Sequence, residues 1–74
     1  MEHAADLKRL GSAIRAARQE LGMSQEAFAD SIQMHRAYYG AIERGVHNLT
    51  LETLFRVCRG LKKNSAEVLR HAGL

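Results

Sequence analysis

Apolar residues recur every three or four positions in several short blocks, and the chain offers the backbone no proline and no β-branched run to build anything but helix. From about Ala5 to Leu21 the series Leu7, Leu10, Ile14, Ala17 and Leu21 is interleaved with Lys8, Arg9, Arg15 and Gln19, the pattern of an amphipathic helix with one buried stripe. Gly22 can take the positive φ that ends it. Ser24 then suits the N-cap of a short second helix, Gln25 to Ile32, with Glu26 in its first turn and Phe28, Ala29 and Ile32 inward. A third helix lies within "MHRAYYGAIERG", Met34 to Gly45. In it Tyr39 and Ile42 face one way, and Arg36, Ala37, Gly40 and Ala41 another.

Thr50 is the expected cap of a fourth helix, with Leu51, Leu54, Phe55, Cys58 and Leu61 as its apolar stripe. The capping box Asn64 to Glu67 opens a fifth, carrying Val68 and Leu69. The expectation is an all-α, compact bundle of five short helices in one domain, residues 1–74. At 74 residues a single core only just offsets the entropy of folding, so help from a partner subunit is expected.

Other chemistries find little support. His3, His35, His47, His71 and Cys58 show none of the paired spacings that gather ligands around zinc, so no metal and no cofactor is expected. No glycine-rich phosphate loop, nucleophile elbow or clustered acid pair is present, and no enzyme is expected. The net charge of +3 favours a polyanionic partner without requiring one. A lone cysteine, with no signal-peptide or membrane-spanning pattern, fits a reducing cytoplasm.

The two short central helices are marginal alone and must be held by their neighbours. Gln25, Ala29, Met34, Tyr39 and Ile42 fall at the spacing of a helix-turn-helix, residues 25–44, with the small Ala29 permitting a close crossing. Through "AIRAARQELGMSQEAFA", "HRAYYGAIERG" and "NLTLETLFRVCRGL" the chain resembles, without a gap, the lambda-repressor-like, Cro-type (xenobiotic-response-element) family of DNA-binding regulators. Within it, "HRAYYGAIERGVHNLTL" looks most like the small controller proteins of restriction-modification systems. Two residues depart from the family pattern. Gln33 stands where the turn usually has glycine, and Tyr39 where isoleucine or valine is usual, so Gln33 must accept the turn geometry and the Tyr39 hydroxyl needs a partner or a way out.

The resemblance makes the third helix the recognition helix in the major groove, with His35, Arg36, Ala37, Gly40 and Ala41 as its base-reading residues. Arg36 can give two parallel hydrogen bonds to guanine, and Ala37 or Ala41 can touch a thymine methyl. The start of the second helix suits a phosphate, with Gln25 the main contact and Ser24 a cap first. Tyr38 faces outward, to donate to a phosphate or to pack on a loop. Arg44 either reaches a phosphate or complements the helix dipole. By the same resemblance His47 and Asn48 are backbone contacts, and Arg18 and Glu43 form a structural ion pair.

One module offers few base contacts, so a homodimer on a pseudo-palindrome is expected, with Phe55, Leu61, Val68, Leu69 and Leu74 as interface candidates, each of which could instead be ordinary core. The function implied is sequence-specific transcription regulation of restriction-modification genes and of its own promoter. Double-stranded DNA is the expected partner, and RNA polymerase the further one a promoter-bound protein would meet. The alternatives are a DNA-binding antitoxin and a helical protein-interaction module without DNA.

Overall fold

The computed structural model describes residues 3–74 and, among them, five helices and no strand. They are α1 (Ala4–Glu20), α2 (Gln25–Ser31), α3 (Arg36–Arg44), α4 (Leu51–Gly60) and α5 (Ser65–His71). Three of the caps read from sequence are made: Ser24, Thr50 and Asn64 accept from the N–H of Ala27, Thr53 and Glu67, and Glu67 returns a bond to the Asn64 N–H. Each satisfies a donor that the helix itself leaves orphaned.

Helix α1 stops one residue earlier than its periodicity suggests. Leu21 is its C-cap and is 37% exposed, so it does not continue the buried stripe. The core is formed by Leu10, Ile14 and Ala17 of α1 with Phe28 and Ala29, Tyr39 and Ile42, Leu54, Val57 and Cys58, Leu61 and Val68. Rings of Phe28 and Tyr39 meet at 5.0 Å between centroids, joining α2 to α3 through the interior.

Two glycines fix how α1 lies against α3. A Cβ on Gly11 would stand 2.4 Å from the Glu43 carbonyl oxygen, so the helices cross closely only because that atom is missing. Gly45 ends α3 at φ 72°, and a Cβ there would meet the Lys8 backbone at 2.5 Å. Gln33 does accept a left-handed conformation in the helix-turn-helix turn, at φ 55°, and Lys62 takes φ 61° after α4. Such a conformation costs a non-glycine residue about 1 kcal/mol. At Gln33 it is over-determined by the buried Ile32 and Met34 on either side and by the Met34 N–H bond to Ala29.

The apolar stripe of α4 divides. Leu54, Val57 and Cys58 go inward, whereas Leu51 is 68% and Phe55 45% exposed. Leu61 and Val68, expected at a dimer interface, are instead core residues, each 2% exposed. They belong to the protomer's own core and are not available to a second subunit.

Candidate nucleic-acid interface

Helix α3 has two unlike sides. Tyr39, Ile42 and Glu43 are buried, and His35, Arg36, Ala37, Tyr38 and Arg44 are exposed. His35 is the N-cap, but its side chain makes no cap bond and stays free.

The buried side is anchored by charge. Arg18 of α1 donates from Nε to Glu43 Oε2 at 2.7 Å and from Nη2 to Oε1 at 3.1 Å, and its Nη1 reaches the Met23 carbonyl at 2.7 Å. Arg18 is thus bonded at once to α3 and to the loop before α2. The expected pair is present, both members under a tenth exposed. Burial pushes the Glu43 carboxyl up, but Arg18, the neighbouring Tyr39 hydroxyl and Gln25, with the Arg18 charge, outweigh it and hold the group below its ordinary value. Beside this pair the Tyr39 hydroxyl is fully buried without hydrogen-bond geometry to any group, the one such side-chain atom among the described residues. Burial first, and the Glu43 carboxylate second, push its pKa far above the usual phenol value, so it stays neutral. It has no exit to solvent, and its polar neighbours are Glu43 and Arg18, neither in hydrogen-bond geometry.

Several base-reading and phosphate candidates sit differently from their expected places. Ala41 is 4% exposed and lies under the turn in which Val46 N–H bonds its carbonyl, so it is no part of the open face. Gly40 is also buried. It lies on the same side as Arg36 and one turn on, but the ends of Gln25 and Arg44 close over it. Gln25, expected to turn its side chain to a phosphate, is half-buried and donates its amide Nε2 to Glu43 Oε1 at 2.9 Å. Arg44 reaches back toward Gly40 instead of standing at the helix end. The Tyr38 ring packs on His47, centroids 5.5 Å apart, which ties the loop after α3 to the exposed side of the helix. Asn48 is exposed beside it.

No sequence pattern disclosed that Gln25 would bond Glu43, since that contact spans 18 residues and depends on how α2 crosses α3. Exposed Leu51 was missed as a surface residue for a readable reason. The apolar positions of α4 are too many for one face, and Leu51 with Phe55, four apart, make the surplus. Among the described residues no three of His, Cys, Asp or Glu gather as metal ligands, and burial pushes the Cys58 thiol up, away from reactivity. None of the described helices is long and apolar enough to cross a membrane.

A short helix laid across a second, with one side locked into the core and the other carrying a free arginine, is the helix-turn-helix arrangement of DNA-binding transcription regulators. The chain belongs to the helix-turn-helix family, whose model matches residues 14–68. It is 34% identical to control protein C.SmaI of Serratia marcescens over 65 residues, which is 88% of this chain and 77% of that protein. Among solved structures it is similar to the restriction-modification controller protein C.AhdI from Aeromonas hydrophila. There the TM-score is 0.83 at 33% identity, covering 86% of this chain and 97% of that one. The clp gene regulator ClgR from Corynebacterium glutamicum superposes with a TM-score of 0.89 at 29% identity, over 92% of this chain and 87% of that one.

Proposed function

We propose that this protein is a homodimeric regulator that occupies a pseudo-palindromic site in promoter DNA, controlling restriction-modification genes and its own expression. The observation that carries the reading is the exposed first turn of α3, where Arg36, Ala37 and Tyr38 face out and Arg36 has no ion pair among the described residues, on a helix held in place by the Arg18–Glu43 pair. Likeness to C.SmaI and C.AhdI supports the restriction-modification role, and likeness to ClgR supports gene regulation over an antitoxin duty.

In this reading α3 enters the major groove with its first turn leading. Arg36 gives its two parallel N–H groups to guanine O6 and N7, His35 stands at the groove edge, and the Ala37 methyl meets a thymine methyl. Phosphates are held by Ser24, whose hydroxyl hydrogen is free while its oxygen caps α2, and by Tyr38, His47 and Asn48 around the end of α3. Two copies related by a two-fold axis would set their recognition helices about 34 Å apart, one turn of DNA. Leu51 and Phe55, joined by Leu69 and Leu74, are the apolar surface for that pairing. In the cytoplasm such a dimer would meet RNA polymerase at the promoter.

A gel-shift with randomised duplexes at several salt concentrations tests the proposal. The expected result is affinity that falls steeply with salt and enrichment of a two-fold symmetric motif. A flat salt dependence with no motif enriched would overturn it.

A further inference from the structure

Gly40 is unlike Gly11 and Gly45, whose missing Cβ atoms the protein's own backbone requires. A Cβ at Gly40 would meet only two atoms within 4 Å, Arg44 Nη1 at 3.4 Å and Gln25 Oε1 at 3.5 Å, both ends of flexible side chains at ordinary contact distance. Glycine weakens a helix interior. The fold therefore bears a cost at position 40 for which nothing inside the molecule gives a reason, on the side of α3 that holds Arg36.

The two atoms over it are of opposite kinds, and the buried network dictates this. Glu43 is a carboxylate and can only accept, and its Oε1 already takes the Gln25 Nε2 at 2.9 Å. Turning the amide over would set one oxygen against another. So the nitrogen is held inward, and the carbonyl oxygen of Gln25 is left over Gly40. Beside it stands a guanidinium N–H of Arg44, which can only donate. A phosphate offers acceptors alone and would find the Gln25 oxygen repulsive. Among base edges in the major groove, adenine alone shows an acceptor, N7, next to a donor, the N6 amine. Guanine shows two acceptors, cytosine satisfies only the glutamine, and thymine only the arginine.

Resting on the proposed entry of α3 into the major groove, we infer that Gln25, Gly40 and Arg44 form a second base-reading element that selects adenine and rejects guanine. Arg44 N–H donates to N7, Gln25 Oε1 accepts from the N6 amine, and Gly40 leaves room for the base edge to come between. The element reads one base pair of each half-site, separate from the guanine met by Arg36.

The test begins with a duplex selected from a random library and a scan of every position in its half-site. One adenine is expected at which purine deoxyriboside, which lacks the N6 amine, lowers wild-type affinity about tenfold. In Gln25→Ala that difference vanishes while 7-deaza-adenine still weakens binding; in Arg44→Ala the two responses exchange. Gly40→Ser is expected to melt no lower than the wild type yet to lose the adenine preference. The inference is overturned if no adenine in the wild-type half-site responds to loss of its amine. It is also overturned if Gln25→Ala weakens every duplex by one common factor with a shallower salt slope, the behaviour of a phosphate contact. Because the analogue scan uses the wild-type protein, it stands even where a variant fails to fold. A wild-type protein that prefers no duplex at all would instead sink the underlying proposal.

Discussion

Helices α3 and α4 are similar in length, 9 and 10 residues, but they are held by different forces and show different outer sides. Helix α3 is fastened by a buried ion pair and by Tyr39 and Ile42, and it turns outward Arg36, Ala37 and Tyr38. Helix α4 is fastened by apolar packing of Leu54, Val57 and Cys58 with no buried ion pair among the described residues, and it turns outward Leu51 and Phe55. A polar outer side whose direction is set by charge suits the hydrogen-bonding groups of a groove, where an error of an ångström forfeits a bond. An apolar outer side needs only to be covered, so undirected packing suffices to hold it. In the proposed reading, one small fold supplies one surface for DNA and another for its own copy.

The contrast is broken most forcefully at Glu43. Glu43→Ala strands the Arg18 charge in the interior and is expected to cost about 3–5 kcal/mol, read as a large drop in thermal midpoint. The carboxyl is held below its ordinary value in the folded state. Its stabilising contribution is therefore complete at pH values above the unfolded-state value and is lost as pH falls through the folded one. Glu43→Gln should lack this acid limb in a series of melts from neutral pH downward, while an unchanged limb would assign acid sensitivity elsewhere.

The next largest effect belongs to α4. Phe55→Ser should weaken self-association by about 2 kcal/mol, measured by sedimentation, and leave the protomer folded because nearly half of the ring is exposed already. Unchanged assembly would move the interface to another face. Arg36→Ala should reduce discrimination at one base pair by about 1–3 kcal/mol while sparing assembly and most non-specific affinity, and equal loss on all duplexes would contradict base reading. Smallest is Tyr39→Phe. Removing a buried hydroxyl that has no partner should change stability by less than about 1 kcal/mol and in the stabilising direction, whereas a marked loss would mean that the hydroxyl is bonded after all.

Much of this was legible beforehand, for reasons that differ between residues. The caps at Ser24, Thr50 and Asn64 were readable because capping is decided within four residues. The Arg18–Glu43 pair came from family resemblance, since nothing local ties residues 25 positions apart. The interface assignment to Leu61 and Val68 failed because periodicity marks a residue as apolar without saying whether its own subunit or another covers it. Gly40, Ala41 and Gln25 were misplaced for a related reason: a helical wheel gives the direction of a side chain, not what leans over it.

What the sequence determined by itself is the number and kind of the helices and the caps at Ser24, Thr50 and Asn64, consequences of short-range sterics and hydrogen bonding, while the turn geometry at Gln33 was implied by the family resemblance. Only the tertiary structure decided which half of the α4 stripe stays bare, which end of the Gln25 amide points outward and what shelters Gly40. The first follows from how α4 packs beside α5. The other two depend on the close crossing of α1 with α3, where a missing methyl at Gly11 lets two helices approach and a carboxylate at Glu43 dictates the orientation of what bonds to it.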